Sequence, residues 1–218
     1  QWVEEDSQTS TVVDNDANMA VWGGYVMELK GRPRNVVGIT LGTGVGGGLV
    51  LEGRLYRGST GSAGEIGHSK VVPNGALCHC GGRGCLEAYA GNYGIVNAAR
   101  RLLKGHRGRS LLRGIPDLDA GAVAAAARRG DPLARRVWKE TSLRLATAIE
   151  SLVLVFNPDV VLVLGGVSRA GSLLLSPIKR ELAMQPFKIP FRRAALRIAK
   201  KHNWGSVGAA LLALDAER

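Results

Sequence analysis

Three cysteines, Cys78, Cys80 and Cys85, lie in one short glycine-rich segment, and they are all the cysteines of the chain. An odd number of cysteines so closely spaced is a poor disulfide framework and is better suited to a metal site in a reducing compartment. With His68 they form the pattern His-x9-Cys-x-Cys-x4-Cys. Three thiolates and one imidazole complete the tetrahedral ligand set of Zn²⁺, so the sequence predicts a zinc site.

Two alternatives stay open for this segment. The cysteines are reduced thiols without a metal, or His79 replaces His68 as the nitrogen ligand. His79 lies between two cysteines and would have to turn back on itself, which favours His68. Because protein ligands would fill all four positions, the zinc is expected to be structural and to fix the loop at residues 65–87.

The 218-residue chain has an ordinary globular composition, with 45% hydrophobic and 22% charged residues. No apolar run approaches the roughly 20 residues that span a bilayer. No signal-peptide pattern opens the chain, so we expect a cytoplasmic protein without a membrane partner.

A formal net charge of +11 favours anionic partners such as nucleotides. Aromatic residues make up only 5%, which argues against a nucleic-acid surface, where aromatic and basic side chains alternate. We interpret the basic residues as solvated helix faces and loops. They form three groups: Arg100, Arg101, Lys104, Arg107, Arg109 and Arg113; Arg128, Arg129, Arg135 and Arg136; and Arg192, Arg193, Arg197, Lys200 and Lys201.

The order of predicted elements indicates an α/β layered domain. A short strand at residues 11–14 precedes a helix at 17–29, and three strands between 35 and 56 form an antiparallel meander with glycine hairpins. Helices follow, one of them introduced by the start signal Asp131-Pro132. The apolar run at 160–164 predicts a strand buried on both faces. The last predicted elements are a helix at 172–184, a strand at 194–199 and a helix at 205–215.

Two glycine-rich turns are candidate ligand sites. Gly165-Gly166 ends the buried parallel strand, which is where open α/β sheets bind ligands. In the hairpin at residues 42–48, the backbone N–H groups could approach a phosphate closely. This second signal is weak by itself, since glycine-rich turns are common and the Walker pattern is absent.

Polar side chains near these turns are candidate catalytic or binding groups. Asp16 is either the N-cap of the first helix or a base that accepts a proton from a hydroxyl group. Glu65 and Glu87 are either surface residues or are drawn toward His68 by the zinc loop. Carboxylates, an amide such as Asn15 and an imidazole suit bidentate hydrogen bonding to the vicinal hydroxyls of a sugar.

Five segments carry a family resemblance: residues 14–18 (DNDAN), 41–48 (LGTGVGGG), 64–68 (GEIGH), 78–87 (CHCGGRGCLE) and 157–166 (NPDVVLVLGG). In order and spacing they resemble the motifs of the ROK (repressor, open reading frame, kinase) family of sugar kinases and sugar-responsive regulators. The resemblance runs from about residue 11 to the C-terminus. It implies an actin-like, ribonuclease-H-like fold with two lobes that close on a sugar and ATP.

The resemblance implies a role for each candidate side chain on the sugar side. Asp16 would be the general base that deprotonates the sugar hydroxyl. Asn15, Glu65, His68 and Glu87 would hold the sugar ring together with Asp16. His68 would bind zinc through one nitrogen and face the sugar with the other.

On the nucleotide side, the resemblance implies that Gly42, Thr43 and Gly44 face the ATP phosphates and that Gly165 and Gly166 face the adenosine. ATP with Mg²⁺ fits phosphoryl transfer, which depends mainly on positioning and charge stabilisation. Polyphosphate as donor is a variation that the basic groups permit.

The chain departs from the family pattern at its beginning. Family kinases open with an Asp-x-Gly-Gly-Thr phosphate loop, and no segment of this sequence matches it. We therefore expect most of the N-terminal lobe to be missing and the chain by itself to turn over poorly. The expected parts are a remnant of that lobe and the hinge at 1–16, the larger lobe at 17–204, and a helix at 205–218 that returns toward the N-terminal lobe.

The sequence thus predicts ATP-dependent phosphorylation of a hexose, glucose first, at the 6-hydroxyl, by a homo-oligomer of two or four subunits. The alternative is the sugar-sensing effector domain of a ROK transcription regulator, which keeps the zinc motif and the sugar site. A zinc-stabilised nucleic-acid module is the third hypothesis, and a steep salt dependence of DNA binding would favour it.

Overall fold

The structure, a computed structural model, describes residues 11–201 and 203–216. Its strands are β1 (Val36–Leu41), β2 (Val45–Leu51), β3 (Arg54–Tyr56), β4 (Val160–Leu164) and β5 (Ala195–Ile198). Its α-helices are α1 (Asp16–Met27), α2 (Glu87–Ala90), α3 (Asn92–Lys104), α4 (Ala120–Arg128), α5 (Pro132–Phe156), α6 (Ser172–Met184), α7 (Lys188–Arg193) and α8 (Trp204–Ala216). Short 3₁₀ helices occupy Ile66–His68 and Gly166–Ala170.

The five strands form one mixed sheet in the order β3-β2-β1-β4-β5. The pairs β1–β2 and β2–β3 are antiparallel, which confirms the predicted meander. The pairs β1–β4 and β4–β5 are parallel. As a result, the carboxyl ends of β1 and β4 lie side by side, and the two glycine-rich turns that follow them meet at one edge of the sheet.

Helices cover both faces of the sheet, because the strands bury side chains on both. On one face, Val37, Ile39 and Val163 pack in a core with helices α3 to α6. On the other face, Leu162 and Leu164 pack in a second core with α1 and the start of α8. All five residues of β4 are buried, as its continuous apolar run predicts.

The last helix packs against the first one through glycines. A Cβ atom on Gly208 would lie 1.7 Å from the carbonyl oxygen of Met19, and one on Gly23 would lie 2.4 Å from that of Trp204. The carboxylate of Glu28 accepts hydrogen bonds from Trp204 Nε1 and from the backbone N–H groups of residues 200 and 201. Helix α8, the last helix, therefore packs directly against α1, the helix that precedes the first strand in the chain.

Local signals predicted most helix boundaries. Asp131 caps α5 and Pro132 is its first residue. The helix ends at Asn157, which adopts a left-handed conformation with φ 42°. The sequence did not predict the short helix α7 or the two 3₁₀ helices.

The predicted strand at residues 11–14 is wrong, since residues 11–15 have no regular secondary structure. This segment instead leads into α1, and Asn15 caps the helix by accepting a hydrogen bond from the N–H of Ala17. The suggestion that Asp16 is the N-cap is therefore also wrong, and Asp16 is the first residue of the helix. Residues 1–10 of the predicted lobe remnant and 217–218 of the predicted last helix lie outside the described residues. Among the described helices, none is both long and apolar enough to cross a membrane.

Candidate functional site

The four predicted metal ligands lie together in the folded chain. One ligand atom from each of His68, Cys78, Cys80 and Cys85 lies within 4.8 Å of all the others. His68 Nδ1 is 3.8 Å from Cys78 Sγ, and Cys80 Sγ is 3.7 Å from Cys85 Sγ. A tetrahedral zinc ion with Zn–S bonds of about 2.3 Å holds two sulfur atoms about 3.8 Å apart, so the donor set and its spacing fit zinc.

Glycines allow the backbone to fold closely around this cluster. Gly81 and Gly84 have φ angles of 83° and 77°, a region that residues with a Cβ atom rarely adopt. A Cβ atom on Gly84 would also lie 1.8 Å from the carbonyl oxygen of Val72. The loop thus needs glycine at position 84 for both conformation and space.

The thiol groups differ in their surroundings. Burial raises the pKa of the Cys78 thiol to about 11. The N–H of Gly82 lowers the pKa of Cys80, which is exposed. Lys70 Nζ lies 2.9 Å from Cys85 Sγ and brings a positive charge to the cluster. Since zinc binds thiolates, a bound cation would favour deprotonation of all three cysteines.

Glu87 connects the cluster to the glycine hairpin. Its Oε2 accepts the backbone N–H of Val45 at 3.1 Å, and its Oε1 accepts hydrogen bonds from Tyr93 Oη at 3.2 Å and Cys78 Sγ at 3.4 Å. A Cβ atom on Gly44 would lie 2.3 Å from Oε2, so glycine at this position makes room for the carboxylate. Glu87 is therefore held in place from three sides.

Tyr93 is a residue that the sequence analysis missed. Besides its bond to Glu87, its ring stacks on the ring of His79, with centroids 3.8 Å apart and an angle of 15° between the planes. His79 is thus placed against Tyr93, outside the group of four candidate ligands. No local sequence signal links Tyr93 to the metal loop, because the contact depends on how α3 packs.

His68 has its two ring nitrogens on opposite sides. Nδ1 faces Cys78, and Nε2 lies 3.9 Å from Glu65 Oε2. If Nδ1 binds a metal, the neutral ring carries its proton on Nε2 and can donate it to Glu65 or to a ligand. This arrangement has the geometry that the predicted double role of His68 requires.

A network of polar side chains fixes the start of α1. Asp14 pairs with Arg57 at 2.6 Å and accepts a hydrogen bond from Asn18 Nδ2 at 2.8 Å. Burial raises the pKa of Asp14, but the bonds from Asn18 and Arg57 outweigh it and lower the pKa below its ordinary value. The network leaves the neighbouring Asp16 exposed at the first turn of the helix.

One cavity, of about 560 Å³, collects the predicted sugar-side residues. It also borders both glycine-rich turns, because the carboxyl ends of β1 and β4 open into it. Among the residues that line it are Asn15, Asp16, Glu65, His68, Glu87, Gly42, Thr43, Gly44 and Gly165. We call it the acidic cavity.

A second cavity, of about 400 Å³, adjoins the first and shares Gly42 and Thr43 with it. We call it the α4 cavity, since residues of α4 form one wall. Gly166 lines it, whereas Gly165, which the sequence analysis placed with Gly166 on the adenosine side, lines the acidic cavity instead. Other residues on its wall were missed by the sequence analysis: Asn92, Asp119, Arg128, Trp138 and Arg169.

At Gly42 and Gly166, no neighbouring protein atom requires the residue to be glycine. A Cβ atom on either would meet nothing within 4 Å, and neither has a positive φ. Gly165 differs, since its φ is 89° and a Cβ atom would lie 2.4 Å from the carbonyl oxygen of Leu41. The space in front of Gly42 and Gly166 is therefore open to a ligand that approaches the backbone.

Known proteins share this fold and its motifs. The model of the ROK family matches residues 1–216. The glucokinase of Streptomyces coelicolor is 37% identical over 214 residues, which cover 94% of this chain and 68% of that protein. The structure of a ROK family glucokinase from Streptomyces griseus in complex with glucose and AMPPNP has a TM-score of 0.86 at 35% identity and covers 98% of this chain and 71% of that one.

The structure of a ROK family transcriptional regulator, a homolog of the Escherichia coli MLC protein, has a TM-score of 0.87 at 28% identity. It covers 97% of this chain, and this chain covers 54% of it. The fold of the chain is the actin-like one of these neighbours. By the family model and by its identity to these relatives, the chain belongs to the ROK family.

Proposed function

We propose that this chain provides the sugar-binding and nucleotide-binding parts of an ATP-dependent hexose kinase. The observation that carries the proposal is the pair of adjoining cavities. The acidic cavity gathers the carboxylates, the amide and the imidazole. The α4 cavity opens in front of Gly166, where a Cβ atom would meet no protein atom within 4 Å. Gly42 and Thr43 line both cavities, and in this proposal the phosphoryl group passes from one cavity to the other beside them. In this proposal, residues 17–204 form the larger lobe.

In the acidic cavity, each polar residue has a task. Asp16, exposed at the first turn of α1, accepts the proton of the attacking hydroxyl as general base. Glu65, Glu87 and His68 Nε2 bind further hydroxyl groups and orient the ring. Precise orientation of the acceptor is a large part of catalysis in phosphoryl transfer.

In the α4 cavity, ATP would bind with its adenosine near Gly166 and its phosphates near Gly42 and Thr43. Backbone N–H groups at these turns stabilise the phosphate charge, which requires the close approach that glycine allows. Mg²⁺ bound with ATP neutralises charge that develops on the transferred group.

The proposed zinc ion is structural. His68, Cys78, Cys80 and Cys85 would hold it and leave no position for substrate. Its contribution is to fix the loop that carries Glu65 and Glu87. Both groups reach the acidic cavity through this loop, so we expect loss of the metal to weaken sugar binding.

The relatives support glucose as the hexose, and we propose its 6-hydroxyl as the acceptor. The Streptomyces coelicolor relative is named a glucokinase, and the Streptomyces griseus structure contains glucose and AMPPNP. N-acetylmannosamine kinases also match, 36% identical over 211 residues in the case of Shigella boydii, so a panel of hexoses is the suitable assay.

The variant Asp16→Asn tests the proposal. We expect kcat for glucose phosphorylation to fall by about 10²–10⁴-fold, because the amide cannot accept the proton, while the Kd for glucose changes little. The measurements are a coupled assay of glucose 6-phosphate formation in the full-length protein and calorimetric titration with glucose.

Asp117→Asn is the matched control, since Asp117 is exposed and makes no hydrogen bond or ion pair with the residues that the structure describes. Turnover of Asp16→Asn equal to that of this control would remove Asp16 as the base.

The second candidate is the effector domain of a sugar-responsive regulator, favoured by the regulator of similar fold. The acidic cavity would then bind sugar without phosphorylating it. Glucose binding by the full-length protein with no ATP-dependent product would support this candidate and exclude the kinase.

A further inference from the structure

Arginines from two of the basic groups in the sequence line a third cavity, of about 550 Å³. It lies between the C-terminal end of α4, the start of α5 and the loop after α3. Arg109 and Arg113 reach it from the loop, and Arg129 reaches it from the end of α4. We call it the arginine cavity. It shares no lining residue with the acidic cavity or the α4 cavity.

The three arginines of this cavity carry more positive charge than the acidic residue that lines it can neutralise. The side chains of Arg109 and Arg129 make no hydrogen bond or ion pair with the residues that the structure describes. Other arginines of the same two groups are engaged elsewhere. Arg101 and Arg136 both pair with Glu140, and Arg128 donates to backbone carbonyl oxygens of the 3₁₀ helix after β4.

The acidic residue that lines the cavity, Asp131, is already committed to the backbone. Its Oδ1 accepts the N–H of Ala134 at 2.9 Å, and its Oδ2 accepts the N–H of Leu111 at 2.7 Å. The side chain is buried, with 4% exposure. Its single charge therefore offsets only part of the charge of the three arginines.

Asp131 also gives the cavity a defined shape. By bonding both Leu111 and the first turn of α5, it holds the loop that carries Arg109 and Arg113 against the start of the helix. Arg113 holds the loop from inside by donating to the carbonyl oxygens of His106 and Gly108. Hydrogen bonds to the backbone thus frame the cavity, and the arginines that line it come from two separate parts of the chain.

We propose that the arginine cavity binds a small anion that carries two or more phosphate groups. Guanidinium groups match phosphate oxygens with paired, charge-assisted hydrogen bonds, and several of them around one cavity suit several phosphates. Arg129 directly follows Arg128, which lines the α4 cavity. Both cavities therefore reach the C-terminal end of α4, and the bound anion lies outside the proposed nucleotide site.

The test is calorimetric titration of the chain with inorganic tripolyphosphate, with orthophosphate for comparison. We expect tripolyphosphate to bind more tightly than orthophosphate. The double variant Arg109→Ala/Arg129→Ala should raise the Kd for tripolyphosphate by about tenfold or more, because charge-assisted hydrogen bonds are lost. Neither arginine has a role in the two other cavities, and circular dichroism checks that the variant is folded.

The double variant Arg192→Ala/Arg193→Ala is the matched control. It removes the same charge from exposed positions on α7. We expect its Kd to stay within about twofold of that of the unmodified chain, since distant exposed charges are screened by salt. Equal loss in both double variants would mean attraction by net charge alone and would overturn the proposal.

Two further arms identify the site and the source of the phosphate. Titration in the presence of saturating AMPPNP should leave tripolyphosphate binding in place, whereas its loss would assign the anion to the α4 cavity and overturn the proposal. Binding to vesicles that contain a phosphoinositide, without binding of free tripolyphosphate, would also overturn it. A failure of AMPPNP to bind at all would count against the kinase proposal alone.

Discussion

Lys70 is a single residue that changes the charge of the candidate metal centre. Zn²⁺ with three thiolates and a neutral imidazole has a net charge of −1, and Lys70 Nζ lies 2.9 Å from one of the sulfur atoms. A Cβ atom on Gly82 would lie 2.7 Å from Nζ, so glycine at that position gives the ammonium group its space. The lysine therefore compensates the charge of the loaded site without being a ligand.

At the same scale, we expect Lys70→Gln to accelerate zinc release to a chelator by about two- to fivefold, the range of an exposed ion pair. Zinc content by mass spectrometry and release followed with a colorimetric chelator are the measurements. Lys70→Arg, which keeps the charge, should release zinc at nearly the original rate, and Lys179→Gln on an exposed face of α6 serves as control. An unmodified chain without zinc would contradict the site itself, whereas equal release from all variants would contradict only the role of Lys70.

Residue types and spacing were enough to name the four candidate ligands, and the family resemblance was needed to single out the polar residues of the acidic cavity. Tyr93 and Arg128 were missed, since their positions depend on how helices pack and no local pattern reports that. Asn15 and Asp16 are both acceptable N-caps, and the sequence alone favoured the wrong one. The hydrogen bond from Ala17 N to Asn15 Oδ1 distinguishes their roles, because it makes Asn15 the N-cap.

Among the elements, α5 shows how one carboxylate can hold several segments. Burial raises the pKa of Asp131, but the N–H groups of Ala134 and Leu111 bind the ionised carboxylate and lower the pKa below its ordinary value of 3.8. The sequence predicted this cap because Asp-Pro is a local signal. It did not predict the contact with Leu111, which joins a distant loop. The strand predicted at 11–14 was wrong because a strand needs a partner to pair with. Among the described residues, no strand lies beside its apolar residues.

This cap gives the stability of the chain a defined pH dependence. A folded-state pKa below the unfolded one contributes stability that is complete above the unfolded pKa and is lost as the pH falls through the folded pKa. We therefore expect the free energy of unfolding to fall between about pH 5 and pH 3, and the fall to be shallower in Asp131→Asn. Urea unfolding followed by tryptophan fluorescence measures it. Asp215→Asn, an exposed position on α8, should keep the original slope; an unchanged slope in Asp131→Asn would assign the acid sensitivity to other carboxylates.

At the scale of the whole molecule, the contact between α1 and α8 joins the first described helix to the last. We expect Gly208→Ala to destabilise the chain by about 1–3 kcal/mol, because its Cβ atom would overlap the carbonyl oxygen of Met19 and force the helices apart. Denaturant unfolding checks this value. Gly205→Ala on the same helix, where a Cβ atom would meet nothing within 4 Å, should leave stability unchanged or slightly raise it. Equal stability of the two variants would show that the helices adjust at no cost.

The position of Glu87 has a consequence that extends across the molecule. One carboxylate group touches the glycine hairpin, Tyr93 and a cysteine of the candidate metal cluster. If zinc occupancy raises the affinity for sugar through this group, thermodynamic reciprocity requires that sugar raise the affinity for zinc by the same factor. A cell rich in the carbohydrate would then retain the ion in this protein under metal scarcity, and starvation for carbohydrate would make the ion easier to withdraw.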